Sequence, residues 1–406
     1  MSSESTVVAV GDILVLRDDP ASMFAHTRDI LSSADIAFGQ LETPYSDRGS
    51  RGSSGPRGAV AHDPKNRPAL AGAGFDVISI ASNHTGDWGA DALLDCIENL
   101  GRDGIVAIGA GANIAQARKP AVVQSNGRRI AFLAYCSVAP EGYYAASTKP
   151  GCAPMRAITH YEPFEPDQPG TPARIMTYPR SADLDALVSD IERAKEQADY
   201  LAVSMHWGVH GLRGVIADYQ HVVAHAIIDA GADIIFGHHP HVLKGIEVYR
   251  GKTIFYSLGN FAMDTATPQM LATINSDWVA EASAFYEAVE GHGEGKSSKQ
   301  RVGQDEIEDL EGVGSSFRLS HKRTIIATWS IGDEGAQRVS FIPCTINDMN
   351  EPVPVDPASA EGRDIINHVQ EVTDEAGFDT VYSVDGSRVA VGSAHVAYEP
   401  TATSSA

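Results

Sequence analysis

An α/β fold is predicted for this 406-residue chain, because short Val- and Ile-rich runs alternate with segments whose apolar residues fall at helical spacing. The strand-like runs are residues 6–10, 35–38, 76–80, 105–108, 130–135, 200–204 and 233–236. Between them, 88–100, 182–198 and 215–230 read as packing helices, the first preceded by Asp87 in the position of a cap and the last followed by Gly231 as a stop. Further on, 243–249, 253–256, 323–331 and 338–343 read as strands joined by short turns, which predicts a second, partly antiparallel sheet.

Three segments interrupt this pattern. Residues 43–60 are rich in Gly and Ser and carry Arg48, Arg51 and Arg57, the composition of a mobile surface loop. Residues 141–180 hold many Pro and Gly and are expected to wrap over the surface. Residues 290–316, full of Gly, Ser and acidic side chains, read as a loop or lid inserted between two strands, since apolar segments resume on both sides. The end, 399–406, reads as a frayed tail.

Composition narrows the function classes. Hydrophobic residues make up 43% and charged residues 21%, ordinary globular usage that excludes a largely disordered chain. Thirty-one basic against 53 acidic residues leave a net charge of −22, whose field repels nucleic acid and anionic membrane. Cys96, Cys136, Cys152 and Cys344 form no CxxC pair, so a zinc ribbon and a dithiol redox motif are excluded and a reducing compartment is the simplest reading. The first 16 residues lack a basic flank ahead of an unbroken apolar stretch, and no run approaches the ~18 apolar residues of a bilayer span. The expectation is a cytoplasmic protein with neither membrane nor nucleic-acid partners; its oligomeric state is left open.

Polar residues of ligand character follow one predicted strand after another, where α/β folds gather ligands beyond the strand carboxyl ends. They are Gly11-Asp12, Leu41-Glu42, Ser82-Asn83-His84, Met205-His206-Trp207 and Gly237-His238-His239-Pro240-His241. Each piece has a plain reading as well: Gly-Asp as a turn, Glu42 as a solvated acid, Asn83 as a helix-entry cap. His239 and His241 carry more weight, because imidazoles two residues apart on an extended segment point the same way. Carboxylates, an amide oxygen and imidazoles from separate strand ends suit one or two divalent cations such as zinc, manganese or iron. His221/His225 and Gly109-Ala110-Gly111 are weaker signals, the latter lacking the last glycine of a dinucleotide fingerprint.

Taken in order, these motifs resemble the poly-γ-glutamate capsule-synthesis protein (CapA) family, whose fold is similar to that of calcineurin-like metallophosphoesterases. The matching pieces are Val10-Gly11-Asp12-Ile13 with Arg17, Leu41-Glu42-Thr43-Pro44, Ala81-Ser82-Asn83-His84 with Asp87 and Gly89, His206-Trp207-Gly208, Gly237-His238-His239-Pro240-His241-Val242, and Tyr256-Ser257-Leu258-Gly259-Asn260-Phe261. The resemblance implies a four-layer α/β/β/α sandwich over residues 1–350, with the inserted loops near 43–60, 141–180 and 290–316, followed by a C-terminal helix and tail over 351–406. It implies a metal site of Asp12, Glu42, Asn83, His206, His239 and His241, a catalytic His84 oriented by Asp87, and a structural turn lining the site at Gly259-Asn260. Gln40, His210 and Leu14 depart from the pattern, standing where Asn, Glu and the histidine of Asp-x-His are usual; the last bears on one of two metal positions.

The functional expectation is a metal-dependent hydrolase using a metal-activated water on a small substrate, an amide bond being favoured slightly over a phosphoester. Arg17 is the candidate to hold a substrate carboxylate or phosphate bidentately. The alternative from another class is a non-catalytic accessory protein of polymer synthesis.

Overall fold

The Val- and Ile-rich runs assemble into two stacked sheets, since β-branched side chains suit a pleated surface buried on both faces. The computed structural model describes residues 4–50, 63–264 and 322–393. Its first part runs β1 (Ser5–Leu14), α1 (Arg28–Ser33), β2 (Ile36–Leu41), α2 (Pro68–Ala73), β3 (Val77–Ser79), α3 (Gly89–Arg102), β4 (Val106–Ile108), β5 (Ala110–Gly111), α4 (Ile114–Ala117), β6 (Ala121–Ser125) and β7 (Arg128–Cys136). It continues through β8 (Gly151–Cys152), β9 (Ala157–Pro163), β10 (Ala173–Pro179), α5 (Ser181–Gln197), β11 (Tyr200–His206), α6 (Asp218–Asp229), β12 (Ile234–His238), β13 (Ile246–Tyr249), β14 (Lys252–Phe255) and β15 (Asn260–Met263). The last part is β16 (Arg323–Ile331), β17 (Gln337–Ile346), β18 (Pro352–Pro354), α7 (Ala360–Glu375), β19 (Thr380–Asp385) and β20 (Arg388–Ser393).

The large sheet has the order β19-β20-β17-β16-β1-β2-β3-β4, with β15 paired to the C-terminal half of β1 and β18 to β17. Its β1-β2-β3-β4 portion is parallel, and β16 adds antiparallel to the N-terminal half of β1. The smaller sheet, β13-β14-β12-β11-β7-β6, is parallel through its centre. Side-chain alternation defines the layers. Along β7, Ile130, Phe132, Ala134 and Cys136 face the core between the sheets, whereas Ala131, Leu133 and Tyr135 face α5 and α6. Phe38 of β2 stacks on Phe132 at 5.8 Å and on Phe236 at 5.7 Å, joining the two sheets. With α1, α2 and α3 packed against the large sheet, the arrangement is an α/β sandwich.

Four readings change. The strands at 243–256 and 323–343 do not share a sheet: β13 and β14 extend the smaller one, while β16 and β17 extend the larger. Of the predicted mobile loop, the described part is anchored rather than loose, because Tyr45 is fully buried and exchanges hydrogen bonds with the Val15 backbone (2.6 and 3.2 Å). Ser46 donates to Asp95 (2.6 Å) and Arg48 pairs with the same carboxylate (3.1 Å), so Arg48 is not a free solvated cation. Arg51 and Arg57, like the insertion at 290–316 and the tail, lie outside the described residues. The stretch 141–180 contains the exposed hairpin β9–β10, in register with Tyr161 opposite Ile175; Pro166, Pro169, Gly170 and Pro172 lie in its turn at 164–172. Beyond residue 350 the chain holds more than a helix, because β18 and β20 pair with β17. All four cysteines are buried free thiols, and no helix among the described residues is long and apolar enough to cross a membrane.

Candidate metal centre

Strand parity delivers the ligand-type side chains to one place. In β11, Ala202, Ser204 and His206 alternate with Leu201, Val203 and Met205, and the latter three face the helices, so His206 ends the inter-sheet face. By the same parity Ile234, Phe236 and His238 share a face of β12, and His206 stands beside His238 in register. Asp12 arrives from the large sheet at irregular pairing, where the register of β1 shifts between Ala9 and Asp12 against β2 and between Asp12 and Ile13 against β15. Such a bulge re-aims a side chain. Gly11 permits it, since a Cβ there would lie 2.0 Å from the Gly259 carbonyl oxygen; beside it Asp12 N–H donates to that oxygen (3.0 Å).

Glu42 follows β2, its N–H donating to Ile13 O (2.9 Å). Asn83 and His84 sit in a turn after β3 whose shape comes from short hydroxyl side chains: Ser82 N–H donates to Thr85 Oγ1 (2.9 Å), His84 N–H to Ser82 Oγ (3.0 Å), and Thr85 Oγ1 to Ile80 O (2.6 Å). Gln40 ties this turn to β2 through its Nε2 donation to Ala81 O (3.2 Å).

Asp12, Glu42 and His206, all buried, offer ligand atoms that lie within 4.8 Å of one another. Around them, His206 Nε2 is 2.7 Å from Asn83 Oδ1, His239 N–H donates to Asp12 Oδ2 (3.2 Å), and His241 Nδ1 is 3.4 Å from Asp12 Oδ2 and 2.7 Å from Asn260 Oδ1. On one side His84 Nδ1 donates to Asp87 Oδ2 (2.7 Å) while its Nε2 lies 3.7 Å from Glu42 Oε1. The structure therefore brings Asp12, Glu42, Asn83, His84, Asp87, His206, His239 and His241 together.

The donor set fits a divalent cation. Asp12 Oδ1, both Glu42 oxygens, His206 Nδ1 and both His238 nitrogens are buried without a hydrogen-bond partner, a concentration of orphaned polar atoms that protein interiors avoid unless an ion satisfies them. Two carboxylates, an amide oxygen and imidazoles suit zinc, manganese or iron. Burial, reinforced by the Asp12 charge, pushes the Glu42 carboxyl well above the usual carboxylate range. Burial would raise Asp12 too, but the interaction with His238 and the charges of His241, His238 and His206 outweigh it and hold Asp12 low. His206 is pushed down to about 3, first by burial and then by His238, His241 and His84, against the pull of Asp12. A neutral imidazole is the form that ligates.

Residues 6–265 match the family described as bacterial capsule synthesis protein PGA_cap. The chain belongs to the PGA_cap family. It is 31% identical over 244 residues to the PGA biosynthesis protein CapA of Bacillus subtilis, a match covering 60% of this chain and 57% of that protein. It is 30% identical over 273 residues to the capsule biosynthesis protein CapA of Bacillus anthracis, covering 64% and 60% respectively. A probable polyglutamine synthesis accessory protein of Mycobacterium tuberculosis is 31% identical over 238 residues, 57% of each chain. The chain thus spans less than two thirds of the length of these relatives, and the PGA_cap match contains every predicted site residue but ends before β16.

Within this PGA_cap protein the structure corrects several expectations. Arg17 is committed elsewhere: Nε and Nη2 donate to Asp264, Nη1 to Ser22 and Glu351, and Nη2 also to Met349 O. These contacts use all five guanidinium donors, so no pair is left for a substrate anion. His239 and His241 are not on an extended segment, for their φ angles are 93° and 60°; they reach the site from a left-handed turn rather than by strand parity. Asp87 does not cap α3, whose N-cap position is Trp88; the Asp87 carboxylate is taken by His84. Asn260, expected in a turn lining the site, stands at the start of β15 with its amide oxygen 2.7 Å from His241 Nδ1.

Two histidines extend the predicted set. His238 is 0% exposed and lies 3.5 Å from Asp12 Oδ1 through Nδ1. Its signal was its position, two residues beyond Phe236 and four beyond Ile234 on the inward face of a strand. His210 brings its ring to 5.0 Å from that of His241 and 5.6 Å from that of His239, carried by a loop that Gly211 N–H pins to Pro240 O (2.9 Å).

Proposed function

We propose that this protein is a metal-dependent hydrolase acting on a small substrate, with an amide bond slightly favoured over a phosphoester. The observation that carries the reading is the convergence of Asp12, Glu42 and His206 with the His84–Asp87 pair at their side. Asp12, Glu42, Asn83, His206, His239 and His241 would hold one or two divalent ions. A bound ion supplies Lewis acidity, polarising the scissile group and making a water nucleophilic at neutral pH. His84 donates a proton from Nε2 to the leaving group, and Asp87 fixes the ring by accepting from Nδ1. The buried walls around Asp12 and Glu42 keep solvent from competing for the ligand atoms. The net charge of −22 disfavours a long polyanion in the cleft, which supports a small substrate.

A second reading is a non-catalytic accessory protein of poly-γ-glutamate or capsule synthesis, favoured by the accessory role in the name of the mycobacterial relatives. The test is a screen of small amides, lactones and phosphoesters with protein stripped of metal and then reconstituted with Mn, Zn, Fe or Co. Metal-dependent turnover that disappears in His84→Ala supports the hydrolase. A metal-loaded protein inert across the panel favours the accessory reading.

A further inference from the structure

Asp87 has two oxygens, and only one serves His84. The other, Oδ1, accepts a hydrogen bond from Tyr143 Oη at 3.1 Å. Tyr143 comes from a different part of the chain, the short helical turn Glu141–Tyr143 that follows β7. Its ring lies on Gly86, where a Cβ would come within 2.5 Å of the ring carbons. The turn is itself pinned: Tyr143 N–H donates to Pro140 O (2.8 Å), Lys149 Nζ to Gly142 O (3.0 Å) and Cys152 Sγ to Tyr143 O (3.6 Å). Asp87 is only 2% exposed, so water is a poor substitute for this phenol.

We propose that Tyr143 is a positioning residue for the proton-donating His84. By holding Oδ1 it fixes the rotation of the Asp87 carboxylate, and Oδ2 then accepts from Nδ1–H and fixes the ring that carries the second, transferable proton on Nε2. That leaves Nε2 directed toward the Glu42 side of the site, where the leaving group departs. In the step, the Nε2–H bond breaks and the proton passes to the leaving oxygen or nitrogen as its bond to the substrate carbon or phosphorus breaks. The neutral imidazole keeps its Nδ1 proton on Asp87 and recovers the Nε2 proton from solvent. This rests on the hydrolase reading given above.

Leaving-group dependence is the discriminating experiment, because a p-nitrophenolate departs without a proton and an alkoxide or amine does not. The full-length protein, reconstituted with Mn, is assayed on substrates from the screen that pair a p-nitrophenyl leaving group with an alkyl one. Tyr143→Phe, which keeps the ring packing on Gly86, should lower kcat about tenfold on the alkyl substrate, the scale of losing a hydrogen bond to a charged group. KM and the p-nitrophenyl rate should change less than twofold. Gly86→Ala, which displaces the ring while keeping the hydroxyl, should act in the same direction. A second readout needs no turnover: ring 15N spectra of the neutral His84 ring, the form left after proton donation, should show a single Nδ1–H tautomer in the metal-free protein and a mixture in Tyr143→Phe. If His84→Ala loses the alkyl-substrate rate while Tyr143→Phe retains both rate and tautomer, the positioning role is overturned and the hydrolase reading survives. If His84→Ala leaves every rate intact, the proton-donor role of His84 falls and this role falls with it, whereas a metal-loaded wild type inert on every substrate overturns the hydrolase reading itself.

Discussion

Replacing Glu42 by Gln should stabilise the metal-free protein and destabilise the metal-loaded one relative to wild type. Glu42 is 2% exposed, neither carboxylate oxygen has a hydrogen-bond partner, and Asp12 places a like charge beside it. Leaving such a group unsatisfied costs about 1–2 kcal/mol or more, and Gln keeps the shape without the charge. At roughly 2–4 °C per kcal/mol for a large domain, stripped Glu42→Gln should melt about 2–8 °C above stripped wild type. Binding reverses the order. At an ion concentration a hundredfold above Kd the wild-type fold gains about 2.7 kcal/mol, whereas Gln offers one neutral oxygen in place of an anion and captures little of that gain. Calorimetry of both proteins, with chelator and with added Mn, Zn or Co, reads the crossing directly. A stripped variant that melts below wild type, or equal shifts of both proteins on adding metal, would refute the reasoning.

Ligand and proton donor should separate: His239→Ala or His241→Ala should lower metal content by elemental analysis, while His84→Ala should keep the metal and lower turnover by on the order of 10²–10⁴. Phe38→Ala removes the ring stacked on Phe132 and Phe236 and should cost about 3–5 kcal/mol in urea unfolding while leaving metal stoichiometry unchanged. His368 of α7 is buried and pushed down to about 3, first by burial and then by Arg323 and Arg213. The fold holds it neutral and the unfolded chain protonates it, so its contribution is full above ~6.5 and is lost as pH falls toward 3. His368→Leu should therefore flatten the loss of stability between pH 7.5 and 5 by about 2 kcal/mol relative to wild type.

Much of the sandwich was legible because Val- and Ile-rich runs buried on both faces leave a strong trace, as in β1, β7, β11 and β12. Sheet membership was not. Nothing local to residues 243–256 or 323–343 says which sheet they join; β14 lies beside β12 and β16 beside β1 through pairings distant in sequence. At the site, Asp12, Glu42, Asn83, His84 and His206 were legible as polar residues at strand ends. The histidine run was harder. A period of two singled out His239 and His241, but the strand continues only as far as His238, after which positive φ angles break the alternation. Parity counted from Ile234 would have found His238. Arg17 misled because its carboxylate partners, Asp264 and Glu351, are more than 240 residues away, and Tyr143 was hidden because its hydrogen bond to Asp87 crosses 56 positions.

The central claim, that these residues form a divalent metal centre, is tested most directly by anomalous diffraction from crystals of the Mn- or Zn-reconstituted protein. Data are collected on either side of the metal's absorption edge. The expected result is an anomalous peak bounded by the Asp12 and Glu42 carboxylates and the His206 ring, with His239 or His241 completing the shell. No peak at that position, or a peak elsewhere while Asp12, Glu42 and His206 bond only to one another, would contradict the claim.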